Sequence, residues 1–184
     1  MAEAASGLDG IVIRRLAAPD LAPYKALRDE ALRLHPDAFT SDHETEVRRS
    51  PESYLGRLGN AEPLGGTFLL GAFDGAHLVG SVGLERETRN KVRHIAWLIG
   101  LMVLPSHTNR GIGRALVDAC IREARAAQGL QLITLSVTAS SERVVSLYEH
   151  AGFRRYGLLP RAIRLVDARG RESYHDKAQM ALTL

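Results

Sequence analysis

The stretch PSHTNRGIGRAL, residues 105–116, carries two glycines, Gly111 and Gly113, one residue apart. Before it stands an apolar run, HIAWLIGLMVL (residues 94–104). After it comes RALVDACIREARAAQ (residues 114–128), with Leu116, Cys120 and Ala124 at helical spacing. A strand therefore hands over to a helix across a loop with little side-chain bulk. A helix N-terminus leaves N–H groups unpaired and carries about half a positive charge. A bare loop in front of it makes an anion site, and successive N–H groups suit a pyrophosphate. Arg110 and Arg114 add positive charge beside it. A tight turn that needs glycine for its conformation alone accounts for the same letters. Two other phosphate loops are excluded: the Gly-Lys-Ser/Thr of nucleoside triphosphatases is absent, and Leu116 stands where the dinucleotide fingerprint needs its third glycine.

Working outward, residues 11–16 read as a first strand, and PDLAPYKALRDEALRLHP (residues 19–36) places Leu21, Tyr24, Leu27, Ala31 and Leu34 near helical spacing. Asp20 is its expected N-cap and Pro36 its stop. Ser50-Pro51 opens a second short helix through Leu58. The segment HPDAFTSDHETEVRRS between them holds Asp37, Asp42, Glu44 and Glu46. It reads as a solvated acidic loop, with attraction of a cationic amine as the other reading. TFLLGAF and HLVGSVGLER flank Asp74-Gly75, a hairpin signal. Residues 93–104 are long for one strand, and Gly100 in the middle suggests a bulge. LQLITLSVTA reads as a strand, SSERVVSLYEHAG as a helix, and FRRYGLLP and SYHDKAQMALTL as two last strands around a turn at residues 168–170. Hairpins mixed with strand-helix-strand crossovers argue for one mixed sheet flanked by helices.

The 184 residues, 45% apolar and 24% charged, suit one domain. A frayed tail over residues 1–9 and a single domain over residues 10–184 are expected. No apolar run approaches the ~20 residues of a membrane span. MAEAASGLDG has neither the basic start nor the apolar core of a signal peptide, so a cytoplasmic protein without a membrane partner is expected. Cys120 is the only cysteine, which rules out an internal disulfide and a cysteine-cluster metal site; no metal is expected. The densest basic run, RETRNKVRH (residues 86–94), reads as a solvated hairpin loop. With a net charge of +3 and only 5% aromatics, no nucleic-acid partner is expected.

Residues 103–113, VLPSHTNRGIG, resemble the acetyl-CoA motif of the GNAT N-acetyltransferases: Val-x-Pro, then Arg/Gln-x-x-Gly-x-Gly/Ala. SSERVVSLYEHAGF (residues 140–153) resembles that family's later Asn-x-x-Ala-x-x-Leu-Tyr-x-x-x-Gly-Phe. The two blocks stand a helix and a strand apart, as they do in the family. The resemblance implies an α/β fold: a mixed, mainly antiparallel sheet of about seven strands, its central strands splayed, with about four flanking helices. It implies acetyl-CoA as cosubstrate, a primary amine of a small molecule or peptide as acceptor, and direct transfer. It also allows a homodimer. Leu101, Met102 and Val103 would border the pantetheine arm. Thr108, Asn109, Arg110, Gly111, Ile112, Gly113 and Arg114 would hold the pyrophosphate; from the second block, Ser141 would contact the pantetheine part and Tyr148 would stand at the cofactor's thiol end.

Two residues depart from the pattern. Thr108 replaces the usual Arg or Gln, and Ser141 the frequent Asn; both can hydrogen-bond, with shorter reach. In the mechanism the resemblance implies, a backbone N–H near Met102 stabilises the developing oxyanion and Tyr148 protonates the leaving thiolate. The family often sets a carboxylate base on the strand before the glycine loop; the aligned position here is Trp97. Glu85, Glu87 and His94 are the remaining base candidates. The missing acid at Trp97 keeps a second reading open: a catalytically silent acyl-CoA-binding regulatory module.

Overall fold

The structure, a computed structural model, describes residues 8–60 and 63–184. Most of the expected N-terminal tail lies outside the described residues; Leu8, at its end, packs against the core. The chain runs β1 (Ile11–Arg15), α1 (Leu21–Leu34), α2 (His43–Glu46), a 3-10 helix (Pro51–Leu58), β2 (Phe68–Asp74), β3 (His77–Arg86), β4 (Ile95–Val103), α3 (Ile112–Ala126), β5 (Leu132–Thr138), α4 (Glu142–His150), β6 (Arg154–Val166) and β7 (Glu172–Thr183). The seven strands form one sheet in the order β1-β2-β3-β4-β5-β7-β6. Every neighbouring pair is antiparallel except β4 and β5.

One face of the sheet carries α3. Leu116, Val117, Cys120 and Ala124 on its inner stripe join Leu70, Val82, Leu84, Leu98 and Ile133 in a large apolar cluster. The helix is amphipathic, so burying this stripe is what fixes it. Tyr148 and Val145 of α4 extend the cluster. The opposite face carries α1 and the 3-10 helix. There Leu21, Tyr24, Leu27, Tyr54 and Leu58 pack on Leu69, Phe73, Leu78 and Met102. The helix over residues 51–58 expected from sequence is thus 3-10 rather than α, and the preceding acidic segment folds an extra helical turn, α2. Asp42 caps that turn, accepting from the Thr45 amide at 2.8 Å. Asp20 does not cap α1 with its side chain. It accepts from the Ala17 amide at 2.8 Å and pairs with Arg14 at 2.7 Å, closing the turn before the helix instead. The penultimate strand also runs past Pro160 to Val166, because a bulge between Leu159 and Ile163 absorbs the interruption.

Candidate active site

β4 and β5 pair over Ile95–Trp97 and Leu132–Thr134, then separate, although β4 continues to Val103 and β5 to Thr138. The cause lies on the other side of β4. Ser81 pairs with Met102 and Gly83 with Ile99, so Gly100 and Leu101 together oppose Val82 alone. That bulge turns β4 away from β5. Gly100 takes φ 57°, a left-handed conformation that favours glycine. Leu101, Met102 and Val103 border the resulting gap; Met102 is buried and the other two are half-buried.

The gap leads to the glycine loop. Asn109 (φ 64°) and Gly111 (φ 80°) are both left-handed, with Arg110 between them. The backbone N–H groups of Arg110, Gly111, Ile112, Gly113 and Arg114 have no acceptor among the described residues. A Cβ on Gly111 would meet nothing within 4 Å. Five free amides at the head of a 15-residue helix, with open space before them, fit a diphosphate. The side chains contribute less than their types promise. Thr108 Oγ1 donates to the Pro105 carbonyl at 3.0 Å, back into the loop. Arg110 lies 3.6 Å from Asp74, whose carboxylate also meets His107 at 3.2 Å. Arg114 Nε donates to both oxygens of Asp118. Exposed pairs of this kind contribute only about 0–1 kcal/mol, so an arriving diphosphate can draw either arginine away. Ser141 occupies the N-cap of α4 without capping it, and its hydroxyl has no hydrogen-bond partner among the described residues.

Tyr148 is buried, its ring packed edge-on against Phe153 at 5.6 Å. Its hydroxyl has no hydrogen-bond partner among the described residues, and burial pushes the phenol well above its ordinary value. Burial likewise pushes the Cys120 thiol up to about 12, which makes it an unreactive core group.

The three base candidates part company. Glu85 lies opposite Trp97 in the β3–β4 register, beside the point where β4 leaves β5, and pairs with Arg57 at 2.9 Å. Glu87 accepts from Trp97 Nε1 at 3.2 Å, two residues farther from the gap. His94 stands just before β4. Its carbonyl accepts from the Gln131 and Leu132 amides, and its neighbours are Arg86, Gln128 and Gly129 at the far end of α3. Alternation along β4 places Trp97 on the α1 face and Ala96 and Leu98 in the α3-face cluster, so His94 is on the other side of the sheet from Glu85. Arg86, at the head of the basic run expected to be solvated, is buried and donates to the carbonyls of Leu64, Gly65, Arg93 and Gln128.

The α1 face also holds a polar cluster that the sequence reading missed. Arg28 and Glu46 are each only 5% exposed. Arg28 Nε donates to Glu46 at 2.9 Å, the Tyr54 hydroxyl donates to the same oxygen at 2.6 Å, and Arg49 meets the other oxygen at 2.9 Å. Burial works to raise the Glu46 carboxyl, but hydrogen bonds from Tyr54, Arg28 and Arg49 outweigh it and hold it down at about 2. Burial and the charge of Glu46 push the Tyr54 phenol up to about 12. Arg57 links this cluster to the gap, donating to the Tyr24 hydroxyl at 3.3 Å and pairing with Glu85. The signal was present: Arg28 falls on the stripe of Tyr24, Leu27 and Ala31, where a charge needs a buried partner.

Comparison with known proteins agrees with this geometry. Residues 25–153 match the model of the acetyltransferase (GNAT) family. A GNAT-family acetyltransferase from Streptococcus pneumoniae superposes with TM-score 0.80 at 23% identity, over 95% of this chain and 99% of that one. The putative acetyltransferase yncA from Salmonella typhimurium, solved with its cofactor acetyl-CoA, gives TM-score 0.78 at 22% identity, over 95% and 94%. Mycothiol acetyltransferase from Propionibacterium freudenreichii subsp. shermanii is 47% identical over 53 residues, 29% of this chain and 17% of that protein. The chain therefore spans well under two thirds of that relative, and the shared stretch is a local one. With the splayed strands, the amide-lined loop and the family match in place, the chain belongs to the GNAT acetyltransferase family.

Proposed function

We propose that this protein moves an acetyl group from acetyl-CoA to the primary amine of a small molecule or peptide by direct transfer. The observation that carries the reading is the gap between β4 and β5 ending at the free amides of residues 110–114. Bound acetyl-CoA supplies an acetyl group activated as a thioester. The amides of the glycine loop hold the diphosphate, and Leu101, Met102 and Val103 orient the arm that lies in the gap. A backbone N–H near Met102, on the side of β4 that faces the gap, donates to the acetyl oxygen as negative charge builds on it. An amine with pKa ~10.4 is almost wholly protonated near neutral pH, so a base must take its proton. Glu85 fills that role, since it stands opposite Trp97, the last β4 residue paired with β5, whereas Glu87 lies two residues farther from the gap. Tyr148 holds the proton that the departing sulfur needs; its phenol is neutral near pH 7 as any phenol is, and burial, by raising it further, makes it a weaker donor that must be aided by its position.

The test is to incubate the protein with acetyl-CoA and a panel of amines and follow release of free thiol. Release above the amine-free blank is expected. Trp97 at the position where the family often has a base favours a second reading, an acyl-CoA-binding module without turnover. Thermal stabilisation by acetyl-CoA with no thiol release on any amine would establish that reading instead.

A further inference from the structure

Two donors converge on bare backbone at the bulge. Arg28 uses Nε for Glu46 and Nη2 for Ser41, at 2.9 and 3.0 Å. Its third nitrogen, Nη1, has no acceptor among the described residues and lies 4.0 Å from where a Cβ on Gly100 would stand. The Tyr24 hydroxyl lies 4.0 Å from the same point. It accepts from Arg57 Nη1 and keeps its own proton for another acceptor. Tyr24 and Arg28 are one turn apart on α1, so both side chains come down together onto the α1 face of β4, beside the gap.

The charge around this point does not cancel. Three guanidiniums, Arg28, Arg49 and Arg57, meet two carboxylates, Glu46 and Glu85. Glu46, the most buried acid of the segment read as a possible attractor of cations, is consumed by its three hydrogen bonds. A groove of about 440 Å³ lies between the loop after α1 and β6, and Ser41, the partner of Arg28, lines it. Arg33, Arg164, Asp42 and Glu44 also line that groove, and Arg28 reaches its wall through Ser41. Beside Gly100 a bare polyamine is repelled, whereas a group with two acceptor oxygens is satisfied by the guanidinium and the phenol together.

Resting on the acetyl-transfer reading above, we infer that Arg28 and Tyr24 form a carboxylate site and that the acceptor is an amino acid, held by its carboxylate while its amine faces the gap. Neither residue touches the reacting atoms, so both act in binding and specificity.

The experiment compares the common α-amino acids, each against its carboxamide and its decarboxylated amine, by thiol release. For the preferred side chain, kcat/KM for the acid is expected to exceed that for the carboxamide by about 30-fold, the size of a lost charged hydrogen bond. The double variant Arg28→Gln, Glu46→Gln removes the pair as a unit, so that no buried charge is stranded, and is expected to reduce that preference to about threefold or less. Tyr24→Phe removes one hydroxyl and no charge and is expected to lower it by about three- to tenfold. A binding arm needs no chemistry: CoA-loaded protein is titrated calorimetrically with the N-acetyl amino acids and their amides, and the acid is expected to bind more tightly. Acid and amide of equal rate and affinity, or an acid preference untouched in the double variant, would overturn the site while leaving acetyl transfer standing. Preferential binding of the acid with no turnover on any amine would remove the acetyl-transfer reading and keep the site.

Discussion

The two faces of the sheet are built on different principles. Under α3 the contacts are apolar throughout: Leu116, Val117, Cys120 and Ala124 on Leu84, Leu98 and Ile133, with a thiol rendered inert by burial. Under α1 a comparable set of apolar contacts surrounds a buried ion pair, Arg28–Glu46, wired through Tyr54, Tyr24 and Arg57 to the edge of the gap. Apolar packing stabilises whatever shape it fills. A buried pair contributes little net stability against an apolar substitute, yet leaves a costly residue when half of it is removed. The α3 face therefore acts as scaffold, and the α1 face holds a charge arrangement whose value lies in what it presents.

Breaking the pair should have the largest effect. Glu46→Ala is expected to lower stability by about 3–5 kcal/mol, read by urea unfolding, because it strands Arg28. A loss under about 1 kcal/mol would show that the cluster is not a coupled unit. The scaffold face gives the matching benchmark: Leu116→Ala should cost about 2–5 kcal/mol through the cavity it leaves, with the preference among acceptors unchanged.

Acid sharpens the contrast without mutation. The Glu46 carboxyl sits at about 2 instead of the ordinary 4.5. Ionised Glu46 therefore contributes stability, about 3 kcal/mol, that is fully present above pH ~4.5 and is lost as pH falls toward 2. Unfolding curves across that window should show the loss in the native protein and a flatter profile in the double variant Arg28→Gln, Glu46→Gln. Identical slopes would remove Glu46 as the source. Tyr148→Phe crosses from scaffold to chemistry. It is expected to reduce kcat by about a hundredfold, the low end for a general acid, while acetyl-CoA affinity changes little; an unchanged rate would leave Tyr148 a packing residue. The smallest structural effect is expected at the loop. Gly111→Ala places a side chain in a left-handed conformation at a cost of about 1–2 kcal/mol, and should weaken acetyl-CoA by more than that because its methyl enters the open space before the amides.

The difference between the faces also explains what was legible in the sequence. Glycine marks backbone geometry locally, so the loop at Gly111, the Asp74-Gly75 hairpin and the bulge at Gly100 were all readable. The apolar stripe of α3 was readable for the same reason: its period lies within one segment. The Arg28–Glu46 pair was not, because its partners are 18 residues apart and meet only once α2 folds back on α1. Side-chain commitments were equally hidden. Nothing in the order of residues says that Thr108 turns toward Pro105, or that Arg110 and Arg114 stand against Asp74 and Asp118. The face on which His94 stands depends on where β4 begins, a boundary that periodicity places only to within a few residues.

The central claim is that the amides of residues 110–114 and the gap behind them bind acetyl-CoA. Titrating acetyl-CoA while reading thermal stability tests it most directly. The native protein should gain about 2.7 kcal/mol at about a hundredfold excess over the dissociation constant, with much less gain in Gly111→Ala at the same concentration. No gain in the native protein at any concentration, or an equal gain in both proteins, would contradict it.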